Sequence, residues 1–218
     1  MSKWDYGEAF KRHPINNNEI VIFENNSKLK VHNLFDTLPD FMKEADIIFV
    51  DPPCSKGNIN SFYTKADRTD YQNSYEPFTI RFWECIDELK PKRLFIEVFK
   101  SNKERFIKEC EQRYKNVTLY QSMYYNNPKN ICWIIVCSNE PSDYPFENMD
   151  EEKVIEWICA NEDYNCIGDL CMGKGLVGYY AYKNNKKFVG TELNHKRLSV
   201  AIERIVNLGG KYIKEDSE

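Results

Sequence analysis

The 218-residue sequence predicts a doubly wound α/β sheet, mostly parallel, with an antiparallel hairpin at one edge. Apolar runs of strand length alternate with amphipathic stretches of helical period, the pattern of a parallel sheet covered on both faces. Two of those runs end in a carboxylate, at Asp51 and at Asp169. β-rich segments flanking Asn126-Asn127-Pro128-Lys129 supply the hairpin.

The elements follow in order. Residues 20–23 and 28–32 read as short strands around the turn signal Asn25-Asn26-Ser27. Residues 34–44 carry helical spacing loosely interrupted by Pro39, and the β-branched and aromatic run 47–50 predicts a fully buried strand. From Cys54 to Tyr75 the chain is polar without a clean period and is expected to be a loop, of a length that usually marks function. Residues 76–89 form an amphipathic helix with Phe78, Phe82, Cys85, Ile86 and Leu89 on one face and Pro77 in its first turn. A strand at 93–98 precedes a helix at 101–114, where Ser101 and Glu104 have capping-box spacing.

The hairpin strands are expected at 117–125 and 130–137. Beyond them lie a helix at 150–160 capped by Asp150, a strand at 166–171 and a helix at 176–184. A strand at 187–193 and a closing helix at 194–208, stopped by Gly209-Gly210, complete the pattern.

Composition narrows the function. No apolar run approaches the roughly 20 residues of a membrane span, and the N-terminus lacks the basic-then-apolar pattern of a signal peptide. The eight cysteines have neither disulfide nor metal spacing, and Cys132, Cys137 and Cys159 sit in apolar runs, so a reducing cytoplasm is expected. His13, His32 and His195 are too dispersed for a metal site. The net charge of −4 leaves phosphate binding to local cations such as Lys56, Lys65 and Arg68. Trp83, Trp133 and Trp157 lie on apolar faces and are expected in the core, and His195 is expected to face solvent.

Asp51-Pro52-Pro53-Cys54 closes one strand, and Asp169-Leu170-Cys171-Met172-Gly173-Lys174-Gly175 closes another. The next strand ends in Glu192, followed by Asn194. Glycines before a helix let a ligand approach the backbone, and an acid ending the following strand suits a ribose diol. A dinucleotide site shares those features, but the Asp-Pro-Pro turn argues against a nicotinamide enzyme. Together the motifs resemble the beta group of S-adenosylmethionine-dependent DNA amino-methyltransferases, whose catalytic motif precedes the cofactor motif. The match runs from about residue 20 through Asp169, Met172, Gly173, Gly175, Gly190, Glu192 and Asn194, while Leu170, Cys171 and Lys174 depart from it.

The resemblance implies a Rossmann-like methyltransferase sheet in circularly permuted motif order. It implies a single domain over 1–218, with a catalytic half at about 20–140 and a cofactor half at about 145–210. The Asp51 and Asp169 strands would then be neighbours at the switch point. It implies S-adenosylmethionine held by Asn33, Asp51, Asp169, Met172, Gly173, Gly175, Glu192 and Asn194, with Asn33 standing where an adenine-contacting acid is expected. The segment from Asp150 would line the methionine end of the cofactor.

Catalysis would fall to Asp51, Pro52, Pro53 and Cys54 acting on an exocyclic amine of DNA, most simply adenine N6. Asp51 and the Pro52 carbonyl would accept the amine hydrogens. The family stacks the base on an aromatic residue where this chain has Cys54, and Tyr63, Phe62 or Phe99 are the candidate replacements.

Other readings stay open here. Cys54 with Glu97 superficially resembles the nucleophile and acid of cytosine C5-methyltransferases, although Ser55, the missing arginine pair and the motif order count against it. The chain could be a silent methyltransferase-like subunit, or depend on a homo- or hetero-oligomeric partner for target recognition. Protein-amide methyltransferases share the Pro-Pro turn but usually begin it with Asn. Tyr124 and Tyr125 at the hairpin tip could touch nucleic acid, with a plain turn as the ordinary alternative.

Overall fold

The computed structural model describes residues 6–69 and 75–216. Its strands are β1 (Glu19–Phe23), β2 (Lys28–Val31), β3 (Ile47–Val50), β4 (Arg93–Val98) and β5 (Asn116–Met123). They continue with β6 (Ile131–Ser138), β7 (Met149–Asp150), β8 (Cys166–Asp169), β9 (Lys187–Glu192) and β10 (Tyr212–Asp216). All ten form one sheet in the order β10-β1-β2-β9-β8-β3-β4-β6-β5-β7. The central strands β2-β9-β8-β3-β4 are mutually parallel.

β3 pairs with β8, Ile47 opposite Ile167 and Ile48 opposite Gly168. From these two neighbours the chain winds outward in opposite directions, β3 to β4 and β8 to β9, which makes their carboxyl ends the switch point.

The helices are α1 (Ala9–Arg12), α2 (Lys56–Lys65), α3 (Tyr75–Leu89), α4 (Lys103–Glu111), α5 (Glu151–Asn161), α6 (Leu176–Lys183) and α7 (His195–Val206). Strand alternation sorts the core into two layers. Ile47, Phe49, Phe95, Ile134 and Val136 face α5, α6 and α7, whereas Ile48, Val50, Leu94, Ile96 and Ile135 face α3 and α4. Phe82 and Phe106 are fully buried in the second layer, each worth roughly 1.5–3 kcal/mol of apolar transfer.

Four sequence expectations change. The stretch expected to be a loop from Cys54 holds the ten-residue helix α2, and residues 70–74 of that stretch lie outside the described residues. The helical pattern at 34–44 yields only a 3-10 turn, Asp40–Glu44, because Pro39 fixes an extended backbone before it. Ser101 does not cap α4. The helix starts after Asn102, whose side chain turns back to accept the Phe99 N–H at 3.0 Å.

The antiparallel edge is also not confined to the hairpin. β1 pairs antiparallel with both β2 and β10 at the opposite edge. The hairpin β5–β6 itself forms as expected, with Met123 opposite Ile131.

Trp83 is buried, and Trp157 packs against the core partly exposed. His195 is half-buried at the start of α7, and desolvation holds its pKa below the usual imidazole value. All eight cysteines are free. Among the described residues no His/Cys/Asp/Glu group is built for a metal, and no helix is long and apolar enough to cross a membrane.

Candidate active site

β3 delivers Asp51 from a fully buried Val50 to an exposed position, with Pro52 buried behind it and Pro53 and Cys54 half-buried. The turn is fastened to α2. Ser55 caps the helix by accepting the Asn58 N–H at 3.2 Å, while Asn58 Oδ1 accepts the Cys54 N–H at 3.3 Å and also meets the thiol.

Beside it, β8 ends at Asp169, buried, with Oδ1 accepting the Cys171 N–H at 3.0 Å. The glycine loop is stitched to β9 by Met172 N–H to Thr191 O at 3.0 Å and Gly173 N–H to Glu192 Oε2 at 2.7 Å. Glu192 Oε1 accepts the Asn194 N–H at 2.9 Å. Met172 is buried, and a Cβ at position 190 would stand 2.9 Å from its sulfur and 3.3 Å from the Asp169 carbonyl oxygen, so Gly190 lets the glycine loop lie close on β9.

The two loop glycines have different jobs. Both have positive φ, 54° at Gly173 and 75° at Gly175. A Cβ on Gly175 would fall 2.4 Å from that of Ala201 in α7, so its missing side chain makes room for helix packing. A Cβ on Gly173 would meet nothing nearer than 3.8 Å, which leaves its backbone approachable.

Charge is concentrated here with one sign. Burial pushes the Asp169 carboxyl well above the usual carboxylate range, and the fields of Asp51 and Glu192 push the same way. Glu192 is raised by burial too, against the field of Arg197 and the backbone N–H groups it accepts. Sequence reasoning missed Glu151, the half-buried first residue of α5. Burial, then Asp150, Asp51 and Glu152, push its pKa up to about 7. The run Asp150-Glu151-Glu152 carried the signal, but it reads equally as an acidic helix start, and Asp150 does cap α5.

α2 closes over the remaining residues. Tyr63 donates its hydroxyl to Asn33 Oδ1 at 2.6 Å, and the Phe35 N–H donates to the same oxygen at 3.3 Å. Asn194 caps α7 through its Oδ1 and donates its Nδ2 to the Lys65 carbonyl at 2.8 Å. The Arg197 guanidinium lies over the Phe62 ring, 4.9 Å from its centroid. Asn33 also lines a cavity of about 330 Å³ at the carboxyl end of β2, with Lys30, His32, Asp36 and Arg68. Desolvation pushes the buried His32 down to about 4.

The structure thus gathers Asp51, Asp169, Glu192 and Glu151 at one end of the sheet, with Asn33 and Asn194 joined to them through α2. Such an arrangement can accept hydrogen bonds from an amine and complement a cationic ligand.

No protein-family model and no curated protein matches the sequence. Solved structures do match. M1.HpyAVI in complex with S-adenosylmethionine aligns with a TM-score of 0.56 at 15% identity, over 81% of this chain and 98% of that one. TTHA0409 of Thermus thermophilus, provisionally assigned as a DNA modification methylase, aligns with a TM-score of 0.55 at 15% identity, over 82% and 94%. PvuII DNA methyltransferase, cytosine-N4-specific, aligns with a TM-score of 0.53 at 10% identity, over 84% and 90%. At these identities the likeness concerns architecture: the chain has the Rossmann-like fold of these methyltransferase structures.

Proposed function

We propose that this chain transfers a methyl group from S-adenosylmethionine to an exocyclic base amine of DNA, with adenine N6 as the preferred acceptor and cytosine N4 next. The observation that carries the reading is the pairing of β3 with β8, which sets the Asp-Pro-Pro turn beside the glycine loop at one switch point. We read residues 1–218 as a single methyltransferase domain in the permuted order, catalytic turn first and glycine loop last.

The residues suit the cofactor. Its ammonium and sulfonium are cationic, and Asp169 is a buried carboxyl raised further by the acids Asp51 and Glu192. A ligand cation there would relieve the repulsion and draw these pKa values down. Asp169 takes the amino-acid end, Gly173 permits backbone approach, and Glu192, whose two oxygens also accept the Gly173 and Asn194 N–H groups, is the acceptor for the ribose hydroxyls. Asn33 borders the adenine, and Met172, Gly175 and Asn194 hold the loop and α7 in place. When bound, the cofactor supplies an electrophilic methyl group.

The chain's own residues prepare the acceptor. An exocyclic amine is a weak nucleophile because its lone pair is delocalised into the ring. Asp51 accepts one N–H and the Pro52 carbonyl the other, which favours a pyramidal nitrogen aimed at the methyl group. Pro52 and Pro53 fix that carbonyl with little conformational freedom to lose.

Incubation with isotopically labelled S-adenosylmethionine and unmodified DNA or RNA, followed by nucleoside mass spectrometry, tests the proposal. Labelled N6-methyladenine or N4-methylcytosine in DNA is the expected product. Labelled 5-methylcytosine would make Cys54 a nucleophile instead, and label confined to RNA would change the acceptor. Absence of label despite cofactor binding would point to a silent subunit or a missing homo- or hetero-oligomeric partner.

A further inference from the structure

A base drawn out of a duplex loses its stacking, and enzymes that act on it restore part of that loss with an aromatic side chain. The turn after Asp51 offers Cys54 at the position where a ring would serve, and a thiol has no π-face. Three rings are the candidates: Phe62, Tyr63 and Phe99. Phe62 is taken by the Arg197 guanidinium at 4.9 Å. Tyr63 is 5% exposed and has its hydroxyl on Asn33 at 2.6 Å, so both belong to the cover over the cofactor side.

Phe99 remains. It is half-buried and directly follows β4, the strand next to β3. The parallel register pairs Val50 with Ile96, so the Asp51 turn and Phe99 leave the same ends of two neighbouring strands. Its ring is stacked on Tyr124 at the end of the hairpin, centroids 5.5 Å apart and planes within 21°. Its backbone is fixed by Asn102, which is 4% exposed, accepts the Phe99 N–H at 3.0 Å and donates to the Tyr75 hydroxyl at 3.2 Å.

We infer that Phe99, backed by Tyr124 and held by Asn102, is the stacking platform for the acceptor base in place of the ring that Cys54 cannot supply. The inference rests on the base-amine reading above. Asn102 is a positioning residue, since it sets the turn that carries Phe99 and touches no base. Stacking tolerates any base, so the platform holds the acceptor without choosing the target sequence.

Phe99→Leu keeps apolar bulk and removes the π-face, while Phe99→Tyr keeps it. Label transfer to DNA, cofactor affinity and melting temperature are measured for both variants and the parent. We expect Phe99→Leu to lower kcat/KM for DNA by about 10- to 100-fold, with cofactor Kd within about threefold and an unchanged melt. Phe99→Tyr should stay within about threefold of the parent. Phe99→Trp adds a second readout, because its indole fluorescence should be quenched when substrate DNA binds.

An active parent with an equally active Phe99→Leu would overturn the platform and leave the amine chemistry intact. Loss of cofactor affinity in parallel with transfer would make Phe99 a packing residue and overturn it too. A parent that methylates no base would remove the base-amine reading and the platform with it.

Discussion

The side-chain amide of Asn194 reaches the main-chain carbonyl of Lys65 at 2.8 Å, joining the last turn of the helix that starts at the Asp51–Cys54 turn to the cap of α7. The same asparagine caps α7 by accepting the Lys196 N–H at 2.9 Å, and its own N–H lies on Glu192. One buried residue therefore couples the position of α2 to the acid expected to hold the cofactor ribose. Tyr63 on Asn33 is a second tie from the same helix.

Asn194→Ala should lower stability by about 1 kcal/mol through the lost cap, and should also weaken cofactor binding. Tyr63→Phe should weaken cofactor binding severalfold with a smaller change in melting temperature. Calorimetric titration and thermal melts of the two variants check this. Unchanged cofactor affinity in both would detach α2 from the site.

The two loop glycines should separate cleanly. Gly175→Ala meets Ala201 and keeps a left-handed backbone, so overpacking should cost about 1–3 kcal/mol, a drop of several degrees in melting temperature. Gly173→Ala has open space and should cost about 1–2 kcal/mol from its backbone conformation. Its larger effect should be on cofactor affinity, measured by titration.

Glu151 should leave its mark on the pH dependence of stability. Its folded pKa of about 7 exceeds the unfolded value near 4.5, so the folded protein binds that proton more tightly. The resulting stabilisation is fully present below the unfolded value and is lost as pH rises through 7. Glu151→Gln, which cannot ionise, should therefore lose less melting temperature than the parent between about pH 5 and 8. Asp169 and Glu192, raised in the same direction, should leave both proteins some residual slope. Parallel curves for the two proteins would show that Glu151 is solvated.

The sequence made the strand ends legible, because a buried apolar run that stops at Asp51, Asp169 or Glu192 marks the carboxyl end of a strand with little ambiguity. It also implied that β3 and β8 are neighbours, through the motif resemblance. α2 was hidden by its polar composition. Ile59, Phe62, Tyr63 and Ala66 do have helical spacing, but Ser, Asn, Gly and Lys between them mask it.

β10 was missed because its residues are half or fully exposed at the sheet edge and alternate too weakly to show a buried face. Asn102 and Ser101 are both plausible caps by type. Which of them serves depends on where β4 releases the chain, a tertiary fact. Glu151 was indistinguishable from an ordinary acidic helix start until Asp51 was placed near it.

In the mechanism we propose, Asp51 activates the acceptor while the glycine loop side holds the cofactor. Its most direct test is label transfer to DNA by Asp51→Ala, measured beside cofactor affinity in the same preparation. Asp51→Ala should lose about 100-fold or more of its turnover with cofactor Kd within about threefold of the parent. Turnover close to that of the parent would contradict it, as would an equal loss of cofactor affinity.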